Sequence, residues 1–242
     1  ERVAELRDEI LFRQPESSHR GDCPICFLPL PIHQKKPPLY ACCSTTICEG
    51  CSFANQKREW EEKLKPACPF CRNILPKTDE EANKNTMKRA AANDPVALGS
   101  MGTRRFEEGD YVGAFEYCTK AAELGDVDAH YHLSFMYRNG QGVEKNLKKE
   151  LYYFEEAAIG GHPRARCNLA FYEWKNNRFD RAVKHWIIAA NLGYDEALHE
   201  IKNCYLMGKV SKDEFASALR ANQAAINESK SPQREAAANF IV

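Results

Sequence analysis

The chain has 242 residues, room for one large domain or two smaller ones, with 43% apolar residues to build cores and 28% charged residues to cover them. Lysine plus arginine equals aspartate plus glutamate at 34 each. That balance argues against an electrostatic grip on nucleic acid, which needs a basic face, and no apolar run approaches the ~18 residues of a membrane span.

The opening, ERVAELRDEI, is charged, has no signal-peptide h-region and starts without methionine. It reads as the start of a fragment and leaves an upstream targeting signal open. Val3, Leu6, Ile10 and Leu11 recur at helical spacing and Pro15 ends the pattern, so residues 1–20 are expected to hold a short charged helix.

Residues 21–76 change character. They are rich in proline and hold eight of the eleven cysteines: Cys23, Cys26, Cys42, Cys43, Cys48, Cys51, Cys68 and Cys71. Such a segment cannot fill a core from its own side chains, and below ~80 residues a structural metal is a common remedy. A secreted disulfide scaffold does not normally pack three Cys-x-x-Cys pairs so tightly, so metal binding in a reducing compartment, cytoplasm or nucleus, fits better. A thiolate is a good zinc ligand, and two of them separated by two residues can clasp one ion from a single turn. CPIC (23–26), CEGC (48–51) and CPFC (68–71) supply six ligands. Cys42 and Cys43 raise the count to eight, enough for two four-coordinate sites.

The ligand order resembles a RING finger, which binds two zinc ions in a cross-brace. The resemblance implies that pairs one and three share the first ion and pairs two and four the second. The first site is then Cys23, Cys26, Cys48 and Cys51; the second takes Cys68 and Cys71 with two ligands from 42–45. The usual second pair is Cys-x-His, and here it aligns with Cys43 and Thr45, a poor zinc ligand. Cys42 and Cys43 together are the favoured substitutes, provided the backbone bends, because neighbouring Cα atoms are only 3.8 Å apart. One cysteine plus water, or His33 reaching in, are the alternatives. A zinc ribbon or treble clef with one ion ranks second, since it leaves four cysteines without a role.

RING domains dock a ubiquitin-conjugating enzyme and catalyse by orientation alone. The resemblance gives Ile25 and Pro69 as apolar contacts for that enzyme and Arg72, directly after the last ligand, as a hydrogen-bond donor to ubiquitin and its carrier. Set beside these roles, Ile25 could pack the small core, Pro69 could serve the turn, and Arg72 could be a solvated charge. Trp60, on the helical stretch 52–64, is expected to be core rather than contact.

Residues 77–94 are polar and helix-permissive and read as a linker helix. From 95 to 226 the chain repeats itself. GDYVGAFEYCTKAAELGDVDA (109–129) aligns without gaps to NRFDRAVKHWIIAANLGYDEA (177–197), and KKELYYFEEAAIGGHPRA (148–165) is a third copy between them. Paired helices with periods in the thirties mean an α-solenoid. Alanines let helices approach, Leu133, Tyr137, Phe154 and Leu169 fill the seams, and Gly125, Gly161 and Gly193 suit left-handed C-caps. The pattern resembles the Sel-one-like repeat, a relative of the tetratricopeptide repeat, best over 128–165; this implies an adaptor surface for a protein partner. Cys118, Cys167 and Cys204 fall in helical patterns as small hydrophobes, and His162 in a turn. Residues 199–226 are expected to form a closing helical pair and 227–242 a frayed polar tail.

The expected architecture is therefore an α-rich multidomain chain, a zinc-stapled RING-like module followed by an all-α solenoid. The expected function is that of a ubiquitin ligase, with zinc (two ions), a ubiquitin-conjugating enzyme on the module, a protein substrate or adaptor on the repeats, and no nucleic acid or membrane. A non-enzymatic interaction scaffold is the alternative.

Overall fold

A computed structural model describes residues 2–32 and 37–240. The chain divides into two compact units, Gly21–Asp126 with Glu228–Val242, and Glu1–Arg20 with Val127–Asn227.

The first unit opens with the cysteine module. Its only sheet among the described residues is a two-stranded antiparallel hairpin, β1 (Leu39–Tyr40) and β2 (Thr45–Thr46), with Tyr40 opposite Thr45. Helix α2 (Glu49–Glu61) follows, and the Tyr40 and Ser52 hydroxyls, 2.8 Å apart, tie the hairpin to it. Helix α3 (Asp79–Ala91) begins at Thr78, whose hydroxyl accepts from the Glu81 N–H while the Glu81 carboxylate accepts from the Lys77 N–H, a reciprocal capping arrangement. Helices α4 (Pro95–Glu107) and α5 (Tyr111–Glu123) form an antiparallel pair, each capped by an aspartate, Asp94 and Asp110. Gly102 lets them close: a Cβ there would lie 2.6 Å from the Cys118 sulfur.

In the second unit, α6 (Val127–Asn139), α7 (Leu147–Ile159), α8 (Pro163–Lys175), α9 (Phe179–Asn191) and α10 (Asp195–Leu206) stack in sequence, each on the next. Helix α11 (Lys212–Glu228) reaches the C-terminal end of α9, where the Asn222 amide donates to the Ala190 carbonyl at 3.2 Å. The repeat alanines Ala129, Ala165 and Ala197 are fully buried, as Ala97 nearly is in the first unit. Leu133, Tyr137, Phe154 and Leu169 are buried as expected of seam residues. Gly125, Gly161 and Gly193 have φ of 88°, 83° and 86°, the left-handed conformation that lets each helix end without a Cβ clash.

Two segments depart from the expected organisation. Helix α1 (Arg2–Leu11) docks on the repeats: Leu11 joins the cluster of Phe154, Ala158 and Leu169. Arg166, buried, donates to the Leu11 carbonyl, and Arg7 pairs with Glu155 and Glu156. Residues 227–242, expected to fray, instead carry a helix, α12 (Pro232–Phe240), packed on α2. Ser231 caps it and Pro232 occupies its first turn, where a missing N–H costs nothing. No helix among the described residues is long and apolar enough to cross a membrane.

Candidate metal centre in the cysteine module

Two segments of the module share one shape. In each, a Cys-Pro-x-Cys turn is closed by paired backbone bonds. Cys23 N–H donates to Leu28 O (3.0 Å) and Phe27 N–H to Cys23 O (2.8 Å). Cys68 N–H donates to Asn73 O (2.8 Å) and Arg72 N–H to Cys68 O (2.9 Å). The residue after the second cysteine takes positive φ in both, 56° at Phe27 and 61° at Arg72. That conformation is uncommon for a residue with a side chain; it turns the chain back so that two sulfurs face the same point.

The third pair sits at a helix start. Cys48 is the N-cap of α2, with its sulfur accepting from the Cys51 N–H at 3.4 Å, and the Cys48 N–H in turn points at the Cys23 sulfur at 3.5 Å. The remaining pair lies in the hairpin loop. Cys43 N–H donates to Tyr40 O, and Ser44 has φ 53°, which supplies the bend that adjacent thiols need to converge. The Ser44 hydroxyl is held by Arg89 of α3 at 2.8 Å, and Arg89 also pairs with Asp94.

The result is two tetrads. Cys23, Cys26, Cys48 and Cys51 bring their sulfurs within 4.8 Å of one another, and so do Cys42, Cys43, Cys68 and Cys71. All eleven cysteines are free thiols. Individual sulfur–sulfur distances are 3.7 Å for Cys26–Cys48, 3.7 Å for Cys43–Cys68 and 3.4 Å for Cys42–Cys71. A tetrahedral ion with bonds of about 2.3 Å to sulfur needs an edge of about 3.8 Å. The tetrads thus fit a zinc-sized cation, and they are too open for disulfides, whose sulfurs lie ~2.05 Å apart. Thr45 belongs to neither; its hydroxyl bonds the Cys43 carbonyl at 3.2 Å. His33, weighed as an alternative ligand, lies outside the described residues.

Crowding sets the acid–base character of these thiols. Burial pushes Cys42 and Cys51 up, and thiol neighbours push them further, first through hydrogen bonds that the protonated thiol donates and then because a second thiolate beside a first is repelled. Burial pushes Cys26 up too, but there it is outweighed by hydrogen bonds from the Leu28 N–H, Arg234, Cys48 and Cys23, which bring it down to about 7. Four thiols held this closely favour a bound dication, which would reverse the repulsion. The downstream cysteines Cys118 and Cys204 are raised by burial as well, but beside a carboxylate rather than other thiols, to about 12 and about 11, as expected of thiols that only pack.

The residues expected to meet a conjugating enzyme are disposed unequally. Arg72 is exposed, and Ile25 is 37% exposed rather than packed away. Pro69 is half-buried. Arg72 lines a cleft of about 680 Å³ with Asn73, Asn85, Lys88 and Arg89. Trp60, expected in the core, is 77% exposed. The cause is the other face of α2, which turns Gly50, Cys51, Ser52 and Glu59 inward. Buried Glu59 accepts from the Ala67 N–H and the Asn55 amide, both at 2.8 Å, so a polar residue takes the place that an amphipathic pattern would give to tryptophan. Trp60 instead borders a groove of about 860 Å³ with Pro38, Phe53, Ala237 and Phe240. Sequence reasoning missed this groove and Arg234 together, since both depend on α12; the Ser231–Pro232 start signal was the available clue.

A third group, in the repeat unit, gathers His19, Asp128 and His162. His162 caps α8 with Nδ1, which accepts from the Ala165 N–H at 3.2 Å. Its Nε2 must then carry the proton and face the Asp128 carboxylate, 3.6 Å away, as a donor. That leaves no lone pair for a metal. The group latches the 17–19 segment onto the repeats, where a Cβ on Gly161 would lie 2.8 Å from the Ser17 carbonyl.

Residues 97–126, 127–162 and 175–194 match the Sel1 repeat family. Among similar proteins, HcpC of Helicobacter pylori is 39% identical over 59 residues, covering 24% of this chain and 20% of that protein. DAP3-binding cell death enhancer 1 of Rattus norvegicus is 31% identical over 196 residues, covering 64% of this chain and 38% of the relative. The chain thus spans well under half the length of these curated relatives. A solved Sel1 repeat protein from Oxalobacter formigenes superimposes with a TM-score of 0.54 at 22% identity, covering 72% of each chain, which shows shared fold alone. The matched repeats establish an all-α repeat architecture suited to protein–protein interaction, and they lie outside residues 21–76.

Proposed function

We propose that the cysteine module is a RING-type zinc domain holding two ions, that it recruits a ubiquitin-conjugating enzyme through Ile25, Pro69 and Arg72, and that the repeats hold a protein substrate or adaptor. The observation that carries the proposal is the interleaved pairing of thiols along the chain: the first pair, Cys23–Cys26, shares a tetrad with the third, Cys48–Cys51, and the second, Cys42–Cys43, shares one with the fourth, Cys68–Cys71. That order is the one a cross-brace requires, and with both ions bound the spacing between the two knuckles would depend on both at once. Closed four-thiolate sites leave no coordination position for substrate, so zinc would act structurally here. Catalysis would consist of orienting a charged enzyme that supplies its own chemistry. Free thiols in this number suit a reducing compartment, cytoplasm or nucleus.

The test is autoubiquitination with a panel of conjugating enzymes. Ile25→Ala should abolish chain formation while leaving two zinc ions per chain in native mass spectrometry. Inactivity of the wild type across the panel, or full activity of the variant, counts against the proposal.

A second reading, an interaction scaffold without ubiquitin chemistry, is favoured by the departure from Cys-x-His at Cys43–Thr45 and by a family match confined to the repeats. NMR titration with conjugating enzymes separates the two, because a scaffold shows no shifts around Ile25 and Pro69.

A further inference from the structure

Helix α12 meets the module at its most constrained point. Gly50, inside the Cys48–Cys51 pair, has no room for a side chain: a Cβ would lie 2.7 Å from the Arg234 backbone nitrogen and 2.9 Å from the Gln233 carbonyl carbon. Phe240 and Phe53 pack at a ring-centroid distance of 5.0 Å. Between these contacts the Arg234 side chain is buried. Its Nη1 donates to the Pro29 carbonyl at 2.6 Å and to the Ser229 carbonyl in its own turn. Its Nη2 donates to the Leu28 carbonyl at 3.1 Å and lies 3.4 Å from the Cys26 sulfur.

Burying a guanidinium is costly unless its charge and its hydrogen bonds are answered. Carbonyls answer Nη1 and Nη2, leave the buried Nε without a partner, and bring no charge. The acceptor that can bring charge is sulfur. Four thiolates around a dication carry a net charge of −2, and an N–H donor on one of them draws off part of that surplus. Arg234 also holds two successive carbonyls of the loop that follows Ile25 and Cys26, so it fixes the knuckle as well as the sulfur.

We propose that Arg234 is an outer-shell positioning residue of the first tetrad: it hydrogen-bonds the Cys26 thiolate, offsets the surplus negative charge of a four-thiolate zinc site, and locks the knuckle that carries Ile25. This rests on the zinc assignment proposed above. It makes the helix that follows the repeats a working part of a site built from residues 23–51.

The test uses the full zinc-loaded chain with Arg234→Gln, which keeps donors but loses charge, and Arg234→Lys, which keeps charge but loses the fork. Chelator competition should strip one of the two ions from Arg234→Gln about 10- to 100-fold more readily than from wild type, the range expected for outer-shell partners, with the second ion unchanged. Limited alkylation of the zinc-loaded protein should make Cys26 the first thiol modified in Arg234→Gln. Arg234→Lys should restore part of the retention, and it serves alone if the glutamine variant does not fold. Unchanged chelation and alkylation in both variants, with two ions bound by the wild type, overturns this inference alone. Equal release of both ions, or equal alkylation of all eight thiols, reduces Arg234 to a packing residue and also overturns it. A wild type that binds no zinc overturns the zinc assignment, and this inference falls with it.

Discussion

Among the described residues of the cysteine module, the buried cluster consists of Cys23, Cys48, Cys51 and Cys68 with Leu30, Tyr40 and Ile47, and Leu75 packs against it. In the repeat unit the corresponding cluster is Leu11, Phe154, Leu169 and a set of alanines at helix crossings. Both must offset the same loss of backbone freedom. The repeat helices do it with area removed from water and closely packed methyl groups. The module has too little such area, and on the zinc assignment proposed above its order would depend on what the thiols hold. The two regions should therefore fail under different insults.

Chelation is the strongest separator. Stripping metal from the full chain should abolish hydrogen-exchange protection across residues 22–75 while α6–α10 remain protected, and Cys48→Ser should act likewise. Protection that survives thorough chelation would sink the metal-dependent half of the comparison. The reverse insult is Phe154→Ala, which empties a fully enclosed site in the repeat unit. It should cost about 3–5 kcal/mol in the urea unfolding of the repeats and leave zinc stoichiometry unchanged.

Acid offers a subtler separation. His185 is completely buried with both ring nitrogens unpartnered. Burial first, then the charges of Arg166 and Arg181, hold its pKa down to about 3, against an opposing pull from Asp8. The unfolded chain takes up this proton near pH 6.5 and the folded chain does not, so the repeats should lose stability steadily as pH falls from about 6.5 toward 3. His162, whose pKa burial and the nearby His19 lower well below its usual value, adds to the same slope. The urea midpoint of His185→Phe should fall less with acid than that of wild type; identical slopes would remove His185 from the account. The smallest effect is expected at Trp60. Its exposure predicts that Trp60→Ala changes stability by no more than about 0.5 kcal/mol, and a larger loss in thermal unfolding would mean that the tryptophan is part of the module's core after all.

How much of this could be read in advance follows from the kind of contact involved. Repeat helices announce themselves because their alanines and C-cap glycines recur at fixed offsets, and the tetrads because cysteine pairs have few other uses. The docking of α1 and α12 left almost no trace. Arg166 reaches the Leu11 carbonyl and Arg234 reaches those of Leu28 and Pro29, and a backbone acceptor looks the same in every residue. Trp60 misled for a related reason. Its helix buries glycine, serine and glutamate to satisfy the Ala67 backbone and to admit α12, a pattern that hydrophobic periodicity does not encode.

The placement of Arg234 has a consequence for how the protein is made. Cys51 and Arg234 are 183 positions apart in the chain (234 minus 51). At a synthesis speed of roughly 5–20 residues per second, the sulfurs of the first tetrad wait on the order of ten to forty seconds on the ribosome before Arg234, which reaches the Cys26 sulfur, is even polymerised. On the zinc assignment proposed above, any ion they captured in that interval would sit in an unfinished cradle, open to exchange with competing thiols, until α12 closed over it once translation had passed the repeats.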